Sequence, residues 1–406
     1  MKFLEVMVQE RISAIWTSKG VLRVSTACVV SLMLWKGAMA EQVDRLDRPA
    51  EVSVRASRAL MLSAARAGTR LIVVGERGIV LVSDDDGKQW RQAKVPSSEM
   101  LTDVTFPTAN DGWAVGHDGV VLHSVDGGLN WARQFDGREL NAMVLRTARV
   151  RVESARAKVA NASTVTDSAA KTELNKAEDA LDDAQAGARF GPSRPLLGVW
   201  FSSANEGYAV GAYGVLLRTS DGGVTWQLLS DRLDDDDRLH LNAVHGLSGG
   251  CVGIAGEGGR VYRSCDNGTS WKRMDTGYRG QLNGVLSTVD SGLIAFGFGG
   301  HIFRLDANST TWRELTSGTR VSIVDGAIGN DGRLVLMDQN GTLLLADTAV
   351  SAFHKAGTSV STIRKTNTKL VLQSFTALSP TLQANVWLLV GRGGTAVRTV
   401  TSEQRL

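Results

Sequence analysis

Gly112-Trp113-Ala114-Val115-Gly116-His117-Asp118-Gly119-Val120-Val121-Leu122-His123-Ser124-Val125-Asp126-Gly127-Gly128-Leu129-Asn130-Trp131 carries two hairpin signatures back to back. The first is an apolar-Gly-x-x-Gly turn between two apolar runs, where glycine supplies the backbone angles a tight reversal needs. The second is Ser-x-Asp-x-Gly-x-x-Trp. In such a turn the hydroxyl and carboxylate satisfy turn amides, the glycine takes a positive φ, and the tryptophan packs between neighbouring sheets.

Both signatures recur. The Gly-x-x-Gly turn appears at Val74-Gly75-Glu76-Arg77-Gly78, at Val115 to Gly119, and at Val210-Gly211-Ala212-Tyr213-Gly214. It returns at Ala255-Gly256-Glu257-Gly258-Gly259, Phe296-Gly297-Phe298-Gly299-Gly300, Met337-Asp338-Gln339-Asn340-Gly341, where aspartate replaces the first glycine, and Val390-Gly391-Arg392-Gly393-Gly394. The second glycines fall at 78, 119, 214, 259, 300, 341 and 394, so the copies are 41 to 53 residues apart except for one gap of 95. The second signature, the Asp-box, is complete at Ser83-Asp85-Gly87-Trp90, Ser124-Asp126-Gly128-Trp131 and Ser264-Asp266-Gly268-Trp271; at Thr219-Asp221-Gly223-Trp226 threonine replaces serine. In the fifth repeat only Trp312 survives, and Phe353 stands one period further on.

A period of about 40–45 residues is that of one four-stranded propeller blade. The reading is therefore an all-β fold: a seven-bladed β-propeller with an inserted α-helical hairpin. The chain ends soon after the third strand of the last repeat, so residues 51–56, which alternate as a strand does, are expected to supply the missing outer strand and close the ring. The expected division is a signal peptide over 1–40, blades 1 and 2 over 41–138, the hairpin over 139–190 and blades 3 to 7 over 191–406.

The insertion, residues 139–187, has no aromatic residue and no proline. Leu140, Val144, Ala148, Val152, Ala155 and Val159 recur at helical spacing, as do Ala170, Leu174, Ala177, Leu181 and Ala184. A polar turn at Ser163 to Asp167 separates the two runs, with Asp167 or Ser168 as a helix cap. The first helix is basic (Arg146, Arg149, Arg151, Arg156, Lys158) and the second acidic (Glu173, Glu178, Asp179, Asp182, Asp183), which favours their folding back on each other. Each helix is roughly 30 Å long. The hairpin is expected on the face bearing the Gly-x-x-Gly turns, either as a surface ornament or as a docking device using Arg146, Arg149 and Arg156.

Composition narrows the class. A net charge of +3 lacks the strongly basic surface of a nucleic-acid binder. Lys19 and Arg23, the apolar run 24–35 and Ala38-Met39-Ala40 read as a secretory signal cut before Glu41, with translation starting at Met1 or Met7. The run is too short to span a bilayer; a retained N-terminal anchor is the alternative, and Cys28 does not fit a lipoprotein site. The remainder is expected to be exported to the periplasm, soluble or peripheral to the membrane. Cys251 and Cys265 flank the turn 256–259, opposite each other on two antiparallel strands, and are expected to form a disulfide, with two buried free thiols as the alternative.

Turn residues on one face form the candidate recognition surface: Arg77, His117, Asp118, Tyr213, Glu257, Phe298 and Arg392, with Tyr278 and Arg279 from neighbouring loops. The run Asp234 to Asp237 is read as a solvated acidic turn rather than a Ca²⁺ loop. No cofactor is expected, since there is no clustered Cys/His pattern, phosphate loop or Gly-x-Ser-x-Gly elbow.

The repeats built on Gly112 to Trp131 and on Glu206-Gly207-Tyr208-Ala209-Val210-Gly211 through Asp221-Gly222-Gly223-Val224-Thr225-Trp226 resemble the photosystem II stability/assembly factor family over residues 51–400 outside the hairpin. The resemblance implies an exported propeller that binds a nascent membrane subunit. Relatives in non-photosynthetic bacteria are often encoded beside resistance-nodulation-division type transporters. The hairpin departs from the photosynthetic pattern, so the expected partner is a membrane protein of a transporter or envelope complex, with photosystem II assembly as the alternative. Asp-box glycosidases, sialidases among them, are a further alternative, as is glycan binding. Arg77, Arg279 and Arg392 would then be a carboxylate-binding trio, Tyr213 or Tyr278 a nucleophile, and Glu76, Asp118 and Glu257 the carboxylates. No enzyme activity is expected, because the sialidase entry motif is missing and the two-propeller glycosidases need a longer chain.

Overall fold

The computed structural model describes residues 44–161, 167–235, 237–347, 349–362 and 374–401. The expected export signal, Cys28 and most of the polar turn between the helices lie outside the described residues. Alternating apolar runs broken by glycine turns produce seven four-stranded antiparallel sheets, over 61–92, 101–135, 196–228, 241–275, 282–315, 323–355 and 357–401. In the first six the strands lie in chain order, A to D from the axis outward. Each A strand packs on the A strands of its neighbours, and the first packs on the last.

The core follows from this arrangement. The B strands are covered on both faces, so they read as unbroken apolar runs: Leu71, Ile72, Val73 and Val74 are all fully buried. Seven apolar clusters lie at the seven junctions between sheets. The last joins Leu71, Val73 and Leu81 of blade 1 to Ala377, Leu388 and Val390 of blade 7. At about 1.5–3 kcal/mol for each large side chain buried, these junctions are the main source of stability.

The ring is not closed as the sequence suggested. Residues 51–55 form no strand, and Val52 and Val54 are exposed. They are held to blade 1 by Ser53 N–H donating to Gln92 Oε1 (3.0 Å), and a short 3-10 turn, Ala56–Arg58, follows. The outer strand of blade 7 is Gly357–Thr362, which pairs antiparallel with Gly394–Thr401. The extra length of the last repeat thus carries its own outer strand. An exposed Val-x-Val segment with no apolar surface to cover gains nothing by displacing it.

In all seven A–B pairs the register slips by one residue beside the Gly-x-x-Gly turn. Where the extra residue is polar it ties its blade to the next. Thr102 Oγ1 donates to the Leu196 carbonyl (2.7 Å), Asn242 Nδ2 to Leu282 (2.8 Å), Asn283 Nδ2 to Ile323 (2.7 Å) and Thr376 Oγ1 to Met61 (2.7 Å).

The four Asp-boxes share one geometry. The hydroxyls of Ser83, Ser124, Thr219 and Ser264 donate to Asp85, Asp126, Asp221 and Asp266 at 2.8–2.9 Å. They accept from the amides of Gly87, Gly128, Gly223 and Gly268, each at 2.9 Å. Hydrogen bonds from Ser270 hold the Asp266 carboxyl down at about 2. Trp90, Trp131, Trp226 and Trp271 follow as the inter-sheet packing residues. Cys251 and Cys265 are joined by a disulfide at the open end of the blade 4 B–C hairpin.

The insertion forms helix α1, Gly137–Ala160, and helix α2, Asp167–Phe190. α1 begins two residues before the expected start, capped by Asp136, whose side chain accepts from the Arg138 amide. Val152, Ala155 and Ala177 form the buried seam, with Leu174 and Leu181 against it. Arg156 pairs with Glu178 (2.8 Å) and Lys158 with Glu173 (3.4 Å) across the helices.

Candidate functional site: the loop face and the hairpin root

In blades 1 to 5 the Gly-x-x-Gly turn is a single 3-10 turn whose third residue takes left-handed backbone angles. Glycine occupies that position in blade 4 (Gly258, φ 66°) and blade 5 (Gly299, φ 70°), but Arg77, Asp118 and Tyr213 adopt φ of 55°, 54° and 59°. A side chain there costs roughly 1–2 kcal/mol. Side chains are thus held in left-handed backbone at three corresponding turns on one face.

The hairpin rises from this face. Asp136 is buried and receives Arg138 (2.6 Å) and Arg133 (3.6 Å), while Asp47 receives Arg138 (3.1 Å) and Arg133 (2.8 Å). The hydrogen bonds from Arg138 and then Arg133 hold the Asp47 carboxyl below the usual carboxylate range. Gly137 is packed against the Asp118 turn, so Asp118 belongs to the hairpin root.

Tyr213 is the centre of one cluster. Its ring is half exposed (51%) and lies 5.2 Å from His240, with the Arg194 guanidinium 5.4 Å from its centroid. His240 Nδ1 is 3.4 Å from Glu257 Oε2, which also accepts from the His240 amide (3.0 Å). Arg194 leaves its buried Nε without a partner; burial, then the neighbouring Arg238, lowers its pKa.

Tyr278 is the centre of a second cluster. It lies 4.6 Å from His301 and 5.5 Å from Phe303, and its hydroxyl donates to the Phe298 carbonyl (3.2 Å). His301 Nδ1 stands 2.6 Å from Glu314 Oε1. Phe298 is 62% exposed, a large apolar side chain offered to solvent.

The structure thus groups Tyr213 with Glu257, and Tyr278 with Phe298. His117, Arg77, Arg279 and Arg392 are exposed on separate turns, and among the described residues no contact joins the three arginines. On the hairpin, Arg146 and Arg149 are exposed and Arg156 is engaged with Glu178. Sequence reading missed Arg194, Arg238, His240 and His301. All four flank the turns and strands used above, and the repeat period places His240 beside the blade 4 A strand. Arg194 sits in the irregular stretch after α2, where no period applies. In the acidic run, Asp235 and Asp237 bind the Arg260 guanidinium, an ion-pair role.

The family model described as photosynthesis system II assembly factor YCF48 matches residues 82–155 and 190–398. The photosystem II assembly protein Ycf48 of Synechococcus sp. (strain JA-2-3B'a(2-13)) is 28% identical over 188 residues, 45% of this chain and 52% of that protein. The photosystem II assembly lipoprotein Ycf48 of Synechococcus sp. (strain CC9902) is 36% identical over 67 residues, 16% of this chain and 20% of that one. The chain therefore aligns with about half the length of the first relative and a fifth of the second. Among solved structures, YCF48 bound to a D1 peptide superposes with a TM-score of 0.56 at 18% identity, over 85% of this chain and 95% of that one. YCF48 from Cyanidioschyzon merolae gives 0.55 at 14%, over 87% and 98%. The WD40 propeller of Doa1 gives 0.52 at 10%, over 89% and 97%, so fold similarity extends beyond the family. With the family model covering well over half of its residues, the chain belongs to the photosystem II assembly factor Ycf48 family.

Proposed function

We propose that this chain is an exported, periplasmic assembly factor that holds a segment of a membrane protein against the loop face beside the hairpin root. The carrying observation is the strained, half-exposed Tyr213, flanked by Arg194 and His240 on a family propeller. Strained aromatic and cationic groups on a rigid scaffold suit recognition of a peptide. A photosystem II subunit segment is the partner the family membership favours, and the solved YCF48 with a D1 peptide is an analogy for it. The transporter-type partner rests on one observation: the family match leaves out 156–189, most of the hairpin's length. Among the described residues no helix is long and apolar enough to cross a membrane.

The chain acts by binding rather than catalysis. Glu76 Oε1 accepts from the Leu60 amide (2.9 Å) and Glu257 Oε2 from the His240 amide, in different blades. These carboxylates stabilise loop backbone, which supports a structural role for them.

The test is direct binding of a D1 peptide to the purified chain, beside capture from gently solubilised membranes with and without residues 139–187. Saturable peptide binding lost in Tyr213→Ala supports the reading. Capture of a transporter subunit only by the intact chain, with no peptide binding, would replace the partner. Sialoside or β-glucan hydrolysis lost in Glu76→Gln or Glu257→Gln would overturn the non-enzyme reading.

A further inference from the structure

On the opposite face, the disulfide of blade 4 stands in an unusual setting. Cys251 is 3% exposed while Cys265 is exposed. Arg263 reaches both sulfurs, with Nε 3.2 Å from Cys265 Sγ and Nη2 3.4 Å from Cys251 Sγ. Among the described residues no carboxylate pairs with this guanidinium, and Lys272 stands opposite it on the D strand. The bridge also spans strands already paired from Val252↔Ser264 to Ala255↔Val261, with a sequence separation of only 14. It therefore constrains little that backbone pairing does not already fix.

We propose that Cys251–Cys265 is a thiol–disulfide exchange site for a dithiol oxidoreductase, with Cys265 as the sulfur attacked and Cys251 as the leaving thiolate. An incoming thiolate reaches the exposed Cys265 Sγ, a new S–S bond forms there, and the old bond breaks with its electron pair on Cys251 Sγ. The Arg263 guanidinium stabilises that charge, which speeds departure. The second thiol of the reductant then attacks its own sulfur in the mixed disulfide and releases Cys265. Two electrons and two protons pass to the cysteines, and the reductant leaves as a disulfide. Cys251 also lines a hollow of about 380 Å³ with Trp200, Tyr208, Leu247 and Asn267 between blades 3 and 4, so opening the bridge loosens one wall of it.

The oxidised full-length protein is treated with dithiothreitol and the thiols are counted by alkylation over time. Arg263→Gln is expected to slow reduction about fivefold and Arg263→Lys by less than twofold; equal rates in all three proteins would overturn the role of Arg263. The unmodified chain is also mixed with a two-cysteine oxidoreductase lacking its resolving cysteine, and the trapped adduct is mapped by mass spectrometry. An adduct on Cys265 supports the assignment. An adduct on Cys251, or none while dithiothreitol still fails to reduce the bridge, would overturn it.

Discussion

Gly137, the first residue of α1, lies so close to Asp118 that a Cβ placed on it would stand 2.4 Å from the Asp118 carbonyl oxygen and 2.6 Å from Pro192 Cβ. The start of the hairpin is thus keyed into the blade 2 turn by the absence of a side chain. Gly137→Ala is expected to lower stability by about 1–3 kcal/mol, the usual range for overpacking a tight site. Thermal denaturation measures it, with Ala142→Ser on the exposed side of α1 as the control. A loss no larger than the control's would mean the root is not keyed here.

The ties between blades make a second prediction. Asn283 spans the junction of blades 5 and 6 through the Ile323 carbonyl. Asn283→Ala leaves that carbonyl without its donor and is expected to cost about 1–3 kcal/mol in urea unfolding. Thr376→Val, which removes the tie across the closing junction to Met61, should cost a comparable amount. Small effects at both sites would leave the apolar clusters as the whole of the inter-blade cohesion.

Much of this was legible in the sequence because propeller repeats are periodic. Seven Gly-x-x-Gly turns and four Asp-boxes determine blade number, strand order and the face on which each loop falls, and helical spacing with opposite charges determines the hairpin. The closing strand was not legible. Residues 51–56 alternate, whereas Gly357–Thr362 carries a single apolar side chain, Val360, and only its pairing against Gly394–Thr401 marks it as the outer strand. The site was half legible: the turn residues follow the period, but Arg194 acquires its meaning from tertiary contact with Tyr213 and Arg238.

Titratable groups on the A strands give a third prediction. Asp325 accepts from the amides of Leu378 (2.8 Å) and Gly326 (2.7 Å), and Asp103 from Val199 (2.8 Å) and Ser63 (2.7 Å). Burial pushes Asp103 up to about 6 and Asp325 up to about 7, the latter helped by the charge on Asp103; burial pushes His245 down to about 4. Between pH 4 and 7 an unfolded Asp325 releases its proton and the folded one keeps it, so its contribution to stability falls as pH rises. His245 has the opposite sign: the unfolded ring gains a proton below about 6.5 and the folded one resists, so stability is lost as pH falls toward 4. Melting temperatures across this range should show His245→Gln relatively more stable in acid than the parent, and Asp325→Asn relatively less. Superimposable profiles would mean that neither group is desolvated as described.

Tyr213 separates stability from function. Its φ of 59° is one that blades 4 and 5 meet with glycine, so the side chain is retained against a conformational cost. Tyr213→Gly removes that strain and also the contact with the Arg194 guanidinium, worth about 0.5–1 kcal/mol. The net expectation is a protein about 0.5–1 kcal/mol more stable than the parent, given a strain of roughly 1–2 kcal/mol, and at least tenfold weaker in partner binding, as for loss of a central aromatic anchor. Phe298→Ser, which exchanges an exposed apolar group without touching strained backbone, should weaken binding with little change in melting temperature. A Tyr213→Gly protein that binds as well as the parent would assign the strain to local packing and move the contact surface to the Tyr278 cluster or the hairpin flank.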